Sequence, residues 1–433
     1  MQQEDEKVIA IIVLLIEFII LSLFNSMNID ISDVIAIIMI IVFSIVFLVY
    51  VASNKKLSKY KGALMAGYFI RIGLLFLDIY GKEIYILPNS GYDSEMYFRC
   101  AVEYVVTRNP GRGEAFSTVM GTLFSFIGTN RLYAQFIVML FSIVSLLILA
   151  HVVNMVAGIE ENNKIRTVGI ICLLPNFAIL SVIFLRESII TMLLSISVYL
   201  FVRWMLGGRG IWFIGAFAVS FFAAAFHSGS AAIAIGYITI RLIYDNKKKM
   251  VRLRAKNVLP AIFFVVVIAY LYVNYADDLF GKMNHVESIG DIGSTNSEGG
   301  SSYAAYVGDS SSVVNMVIFT IPRIVYFLFS PFPWQWRGIG DIIAFVFSSL
   351  FYFFTIKNAF VFIKKANQKN KSYVIIVFIV ALCTAFVFSW GVTNTGTATR
   401  HRDKMIILYG LLYALSHRDY RDKKIYLRNV RIL

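Results

Sequence analysis

Charged residues set within long apolar runs are the groups through which this chain could do chemistry. Arg186 and Glu187 interrupt the apolar stretch 167–206, and Arg400 and Arg402 precede the last apolar run. Because ionisable groups are costly inside a membrane, those that remain there mark candidate sites. Guanidinium groups pair with phosphate oxygens through charge-assisted, bidentate hydrogen bonds. These arginines therefore predict a binding site for a ligand that carries a phosphate or diphosphate group.

The neighbours of these arginines allow a second interpretation. Glu187 is predicted to neutralise or orient Arg186, although the pair could also form a tight external turn that faces water. His401 lies between the two later arginines, near the start of a predicted helix, where the backbone attracts anions. The alternative there is an interfacial anchor that binds lipid headgroups. His227 lies at a break in the apolar stretch 211–243, where a ligand-binding histidine and a turn histidine without a role are equally expected.

Two acidic residues are candidate general bases that would take a proton from a sugar hydroxyl. They are Asp93 and Glu95, in a loop segment that follows Gly91. On a helix they would point about 200° apart, so only one of them would enter a given site. Asp93 is preferred because it is nearer the glycine, and a solvated loop face is the alternative. The sequence contains no DxD, HExxH or Cys/His cluster, so we expect no metal site and no cofactor.

A segment of aromatic rings and prolines, residues 330–337, is a candidate saccharide platform. It contains Trp334, Trp336 and Arg337, and Arg323 precedes it. A tryptophan pair beside an arginine offers an apolar ring face together with hydrogen-bond donors, which is what a sugar requires. Tryptophan also prefers the membrane interface, so a simple aromatic belt is the alternative.

The elements that must position these residues are membrane-spanning helices. The chain has 433 residues, of which 58% are hydrophobic and 15% are charged, and its mean hydropathy is +0.73. Soluble domains carry about 25% charged residues. Several apolar runs reach the roughly 20 residues that a helix needs to cross a bilayer. The composition therefore excludes soluble folds and β-barrels, and it predicts an all-α polytopic protein with a single transmembrane domain, residues 1–433.

The apolar runs predict about twelve transmembrane helices. Short loops rich in lysine and arginine stay in the cytoplasm, and this rule places both chain termini there. Placing the basic loops in the cytoplasm requires an even number of crossings between each pair of them. A full crossing by residues 116–129 or 313–331 would break this requirement, and Pro322 interrupts the second segment. Both segments are therefore interpreted as re-entrant or interfacial helices on the outer face. The predicted spans are 8–26 (a retained helix, not a signal peptide), 34–53, 62–80, 133–156, 167–185, 187–206, two within 211–243, 257–275, 342–363, 373–392 and 405–416.

The net charge of +14 is interpreted as an orientation signal. Most of the excess lysine and arginine falls in the cytoplasmic loops and in the basic tail 417–433. The outer face as a whole, which contains the loops 81–132 and 276–341, is left net acidic. We therefore expect membrane lipid as a partner, and no nucleic acid.

Four short motifs resemble those of bacterial multi-span enzymes from capsule and O-antigen gene clusters, the Wzy-type polysaccharide polymerases and related GT-C-like glycosyltransferases. As topology, the resemblance extends over most of the chain. The motifs are Asp93-Ser94-Glu95-Met96-Tyr97, Phe184-Leu185-Arg186-Glu187-Ser188, Ser330-Pro331-Phe332-Pro333-Trp334 and Asn394-Thr395-Gly396-Thr397-Ala398-Thr399-Arg400-His401-Arg402.

The resemblance implies glycan transfer on the outer face of the bacterial cytoplasmic membrane. A growing chain would move from undecaprenyl diphosphate onto a hydroxyl of an incoming lipid-linked oligosaccharide repeat, and a chain-length regulator protein is a candidate partner. In this sequence Arg186, Arg400 and Arg402 would stabilise the diphosphate leaving group, and Asp93 would be the base. Arg323, Arg337 and Trp334 would hold the saccharide. These families share no fixed catalytic residue, so the roles are assigned from residue chemistry.

Two other functions remain open at this point. A glycosyltransferase that uses a polyprenyl-phosphate sugar would need an acidic residue on the first outer loop, which Asp93 or Glu95 could supply. A flippase or exporter of lipid-linked sugars would need charged or broken helices in the inner half of the membrane as well. The embedded charges concentrate on the predicted outer half, which favours an enzyme.

Overall fold

The computed structural model describes residues 31–156, 158–245, 250–251, 259, 302–308 and 313–417. Two compact units divide the chain: the first comprises residues 1–143 and 178–186, and the second comprises residues 144–177 and 187–433. The predicted span 8–26 lies outside the described residues, as do 257–275 except for residue 259 and the basic tail beyond residue 417.

The first unit is built from helices, because its sequence consists of apolar runs separated by short polar segments. Its helices are α1 (Ile31–Ser53), α2 (Lys61–Tyr80), α3 (Tyr92–Thr107), α4 (Glu114–Ile127) and the start of α5 (Arg131–Met155). The predicted spans 34–53, 62–80 and 133–156 correspond to α1, α2 and α5. Residues 116–129 form α4, which ends where Gly128 adopts a φ of +85°.

The described part of the second unit is also helical, apart from an antiparallel pair of short strands, β1 (Tyr244–Asp245) and β2 (Met250–Val251). After the end of α5, its helices are α6 (Glu161–Leu173), part of α7 (Pro175–Leu180), α8 (Glu187–Met205), α9 (Gly210–Ala224), α10 (Ala232–Ile243), α11 (Ala304–Val307), α12 (Val313–Phe329), α13 (Ile339–Ile343), α14 (Leu350–Lys365), α15 (Gln368–Trp390), α16 (Thr395–Asp403) and α17 (Ile406–Ser416).

Membrane character follows from the length and composition of these helices. Within the described residues, six helices are long and apolar enough to cross a bilayer: Ser32–Ser53, Ser58–Tyr80, Arg131–Met155, Glu187–Met205, Ile339–Lys365 and Asn370–Trp390. The fifth comprises α13 and α14, which the π-helix Ala344–Ser349 joins into one continuous helix. Four shorter apolar helices accompany them, at Gly210–Ala224, Ser228–Ile243, Ile318–Phe329 and Ile406–Ser416. The predicted class, an all-α membrane-embedded protein, is therefore confirmed.

One predicted span is wrong, because residues 167–185 do not form a single helix. Helix α6 ends at Leu173, and Leu174 is extended, with φ −64° and ψ 114°. The ring of Pro175 disfavours a helical conformation in the residue before it, which hydropathy does not register. The short helix α7 ends at Leu180, and turns continue to Arg186. The tight turn predicted at Arg186-Glu187 is therefore a longer non-helical segment.

Two further interruptions of helices were predicted, one within residues 211–243 and one at Pro322. The split of 211–243 is confirmed, because α9 ends at Ala224 and a 3-10 turn, Ser228–Ala231, precedes α10. Pro322 was predicted to interrupt the backbone hydrogen-bond ladder of its segment, and the structure places it inside α12, which continues on both sides of it. Proline removes one backbone donor, and in α12 that loss does not end the helix. The re-entrant or interfacial placement of α4 and α12 stays a prediction.

The last described helix, α17, forms the core of the second unit. Every residue from Ile406 to Ser416 is buried, as expected of a helix that is apolar on all sides. Gly410 lets this helix approach its neighbours closely, because a Cβ there would lie 3.2 Å from Leu149 and 3.3 Å from Ile171. The predicted span 405–416 is therefore a helix enclosed by protein.

Candidate functional site

The short polar helix α16 positions the charged groups of the second unit. It begins after Asn394, whose side chain accepts hydrogen bonds from the backbone N–H groups of Gly396 at 2.9 Å and Thr397 at 3.3 Å. Asparagine at this cap position satisfies amides that the helix leaves without partners. The Asn-Thr-Gly-Thr sequence therefore starts a helix whose last turn contains Arg400.

Glu187 is the centre of a buried ion-pair group. Its Oε1 lies 3.0 Å from Nη2 of Arg400 and 3.8 Å from Nζ of Lys404. Nε of Arg400 also donates to this oxygen, at 3.3 Å. Arg400 and Lys404 are four residues apart and face the same way, as this spacing requires in a helix. One carboxylate is therefore shared by two cations.

Two histidines lie near this group. The rings of His227 and His401 meet edge to face, with centroids 4.6 Å apart. Phe388 contacts both rings, at 5.6 Å from His227 and 5.3 Å from His401. Nζ of Lys404 lies 5.9 Å from the centre of the same phenylalanine ring. Together Glu187, Arg400, Lys404, His227 and His401 form what we call the cationic cluster.

Close backbone approach brings His227 to this position. A Cβ on Gly229 would lie 2.8 Å from a ring carbon of Phe388. Glycine is therefore required where the His227-Ser228-Gly229 break passes the phenylalanine. The break that marked His227 as a candidate in the sequence is thus the feature that places its ring beside His401.

Arg402 has different surroundings from Arg400. Its guanidinium is fully buried, and Nη1 donates to the carbonyl oxygens of Leu328 at 2.8 Å and Ser330 at 2.5 Å. Nη2 donates to Oγ1 of Thr399 at 3.0 Å. Cations commonly satisfy the carbonyl groups at a helix C-terminus. These contacts fix the end of α12, and the predicted role of Arg402 in diphosphate binding stays a prediction.

Asp403, at the end of α16, is a buried carboxylate. Its side chain is 2% exposed, and neither oxygen has a hydrogen-bond partner among the residues that the structure describes. Burial raises the pKa of Asp403 to about 7, and the charge of Arg402 acts in the opposite direction. The group therefore titrates close to neutral pH.

The predicted saccharide platform divides into a buried part and an exposed part. Arg323 is buried, donates to the carbonyl oxygen of Gly308 at 2.7 Å, and lies 4.3 Å from the ring centre of Trp390. In contrast, Trp334 is 64% exposed and stacks on Phe332 with ring centroids 4.7 Å apart.

The other two platform residues lie beside this stack. Nε1 of Trp336 donates to the carbonyl oxygen of Pro331 at 3.2 Å. Arg337 is exposed, and its backbone N–H donates to Oδ2 of Asp341 at 3.0 Å. The exposed face of the segment therefore presents an aromatic ring and a cation, and saccharide binding there stays a prediction.

The remaining candidates lie in the first unit. Asp93 and Glu95 occupy the first turn of α3, and Glu95 forms ion pairs with Lys82 at 3.0 Å and Arg131 at 3.2 Å. Arg186 pairs with Glu114 at 3.6 Å, and its guanidinium carbon lies 5.6 Å from the ring centre of Tyr97. The predicted role of Glu187 in neutralising or orienting Arg186 stays a prediction.

The sequence did not single out two polar residues of these sites, Lys404 and Asp78. Lys404 follows Arg400 by four residues, and that spacing was the available signal. In the first unit, Asp78 lies within the apolar span of α2 and is 1% exposed. An acid inside a predicted span is a functional candidate by default, so Asp78 could have been found in the sequence.

Known proteins do not identify the chain. No family model matches it, and no curated protein or solved structure matches it. In the described parts of the chain, no group of three or more His, Cys, Asp or Glu side chains could hold a metal ion.

Proposed function

We propose that this protein is a membrane glycosyltransferase that polymerises undecaprenyl-diphosphate-linked oligosaccharide repeats of a capsule, O-antigen or exopolysaccharide. In this proposal the chain has about twelve spanning helices in a bacterial inner membrane, and both termini lie in the cytoplasm. Its active site faces outward. Membrane lipid and a chain-length regulator are the expected partners besides the substrate.

The cationic cluster is the observation that carries the proposal. Glu187 cancels one of the two positive charges supplied by Arg400 and Lys404, so the ion-pair group keeps a net positive charge. Arg400 is the partly exposed cation, with 15% of its side chain accessible, whereas Lys404 is fully buried. A site that combines a formal excess of positive charge with a partly exposed guanidinium fits an anionic phosphate group.

The chemistry assigned to this cluster is stabilisation of a leaving group. In the transfer, the bond between the anomeric carbon and the diphosphate oxygen breaks as the acceptor hydroxyl bonds to that carbon. Negative charge develops on the departing diphosphate, where Arg400 supplies a fixed positive partner. The acceptor proton passes to a base, for which Asp93 is our first candidate and Glu95 the second. His227 and His401 are candidate substrate-binding or proton-carrying groups.

A reconstituted assay tests this function. The full chain in liposomes, supplied with undecaprenyl-diphosphate-linked repeats, should give a ladder of longer lipid-linked glycans. Arg400→Ala should lower the rate by about a hundredfold or more, because a charge-stabilising donor is lost. Arg241→Ala is the matched control, since Arg241 is an exposed arginine of the same unit at the end of α10.

Other products would contradict the proposal and favour its rivals. Addition of one sugar per turnover from a polyprenyl-phosphate donor would indicate a GT-C-type transferase. In cells that carry Arg400→Ala, lipid-linked single repeats should accumulate on the outer side of the membrane. Their accumulation on the cytoplasmic side would instead indicate a flippase or exporter.

A further inference from the structure

A cavity of about 140 Å³ lies within the first unit, among residues of α2, α3 and α5 and the segment after α2. It belongs to a different part of the chain from the cationic cluster. Its polar and aromatic lining residues are Asp78, Lys82, Glu95, Phe98, Arg131 and Gln135.

The polar residues of this cavity form a continuous chain of contacts. Lys82 and Arg131 both pair with Oε1 of Glu95, at 3.0 and 3.2 Å. Nε of Arg131 then donates to Oε1 of Gln135 at 2.6 Å, and Nε2 of Gln135 donates to Oδ2 of Asp78 at 2.8 Å. The chain runs from half-exposed groups to a buried carboxylate, so the wall is ordered before any ligand arrives.

One of the two carboxylate oxygens of Asp78, at the buried end of this chain of contacts, lacks a donor. Its Oδ1 is buried and has no hydrogen-bond partner among the described residues. Gln135 cannot supply one, because the other hydrogen of its amide goes to the carbonyl oxygen of Val182 at 2.6 Å. A buried acceptor without a donor is costly. Because Asp78 lines the cavity, a ligand hydroxyl that enters there meets a carboxylate whose hydrogen bonds are incomplete.

The charges of the wall select the type of ligand. Two carboxylates, Asp78 and Glu95, face two cations, Lys82 and Arg131, so the formal charge of the wall is zero. An anion would meet the carboxylates and a cation would meet the basic groups, whereas a hydroxyl both donates and accepts hydrogen bonds. Phe98 adds an apolar surface to the wall, and the guanidinium carbon of Arg131 lies 4.5 Å from the centre of that ring.

The cavity also has the size of a small molecule. One water needs roughly 10–15 Å³ of such space, so about 140 Å³ accommodates several waters or one ring of comparable volume. We propose that this cavity binds one sugar ring of an uncharged saccharide. The choice of a sugar among neutral polyols rests on the proposed function, whereas the preference for a neutral hydroxylated ligand rests on the wall itself.

Saturation-transfer NMR on the full chain in nanodiscs tests the inference. The probes are free glucose, galactose and N-acetylglucosamine, with glucuronate and glucosamine as their charged counterparts. Asp78→Asn keeps the side-chain shape but removes a charged acceptor, and it should weaken neutral-sugar binding about tenfold or more. Asp33→Asn is the matched control, because Asp33 accepts hydrogen bonds from Tyr80 and Asn130 in the same unit and does not line the cavity.

The results separate the possibilities clearly. Saturation transfer to a neutral sugar that Asp78→Asn abolishes and Asp33→Asn retains would support the site. The inference is overturned if no neutral sugar receives saturation, if charged sugars bind as well as neutral ones, or if Asp78→Asn binds normally. If Asp78→Asn does not fold, Ile79→Trp decides by filling the cavity, and unchanged binding in that variant overturns the site.

This experiment needs no lipid-linked donor, so it is independent of the transfer assay. A chain that polymerises repeats but binds no free sugar would retain the proposed function and lose this site.

Discussion

Replacing Glu187 by glutamine tests whether the cationic cluster is held together by one buried carboxylate. Glutamine has nearly the same shape but no charge, so Arg400 and Lys404 would face each other without their shared anion. Both contacts are short, at 3.0 and 3.8 Å, and Lys404 is fully buried. We expect the variant to fold less stably and the loss to be recovered partly when one cation is also removed.

The size of the effect follows from these distances. At an effective dielectric constant of about 20, the gross attraction is about 5.5 kcal/mol for the Arg400 contact at 3.0 Å and about 4.4 kcal/mol for the Lys404 contact at 3.8 Å. Desolvation offsets much of this sum. Measured losses for removing one partner of a buried pair are about 3–5 kcal/mol, and because Arg400 keeps some access to water, we expect about 3 kcal/mol.

The assay is unfolding in mixed micelles, followed by tryptophan fluorescence. All five tryptophans lie in the second unit, so the signal reports the unit that contains Glu187. Glu187→Gln, Arg400→Gln and the double variant complete a thermodynamic cycle. A coupling of about 1 kcal/mol or more is expected. The reasoning is refuted if the single change costs less than about 1 kcal/mol or if the two changes are additive within about 0.5 kcal/mol.

Three further predictions concern the same unit. Arg402→Met should destabilise the protein by about 2–4 kcal/mol in the same unfolding assay, because carbonyl groups at the end of α12 lose their buried donor; stability equal to wild type would contradict this. The pKa of Asp403 is raised to about 7 on folding, so stability should fall by up to about 4 kcal/mol as pH rises from about 4 to 7. Asp403→Asn should flatten that pH profile, and an unchanged profile would contradict the assignment. Gly236→Ala should lower the free energy of unfolding by about 1–3 kcal/mol, because the added Cβ would lie 2.9 Å from the backbone of Val380. Gly215→Ala is the control and should be neutral, because its nearest neighbour lies 3.4 Å away. Equal losses of stability in the two variants would refute this prediction.

Many of the helices could be predicted, because the length of an apolar run determines whether it can form a spanning helix. The run 34–53 is apolar throughout, and it forms α1 without an interruption. The run 167–185 is equally apolar, yet it breaks before Pro175, because the restriction that proline imposes on its neighbour is a local backbone effect. Hydropathy averages over such effects, so it gave one span where the chain forms two short helices.

The candidate site was predictable in its residue types and not in its partners. The cost of burying charge was the signal that selected Glu187, Arg400 and His227 in the sequence, and the structure places them in one cluster. The ion pair between Glu187 and Arg400 could not be predicted from the sequence, because the two residues are 213 positions apart in the chain. The partners of Arg402 were equally unpredictable, because nothing in the neighbouring sequence indicated that its guanidinium would donate to carbonyl groups of another helix.

The enclosed helix α17 has a consequence for biosynthesis. Residues 406–416 leave the ribosome after every other described segment of the second unit, yet all of them lie in its core. Until then, the surfaces that α17 covers, including Leu149 and Ile171, have no final partner. The second unit therefore completes its packing only when α17 enters between helices that are already made. Ribosome stalling before residue 406 should leave a membrane intermediate that is sensitive to quality-control proteases.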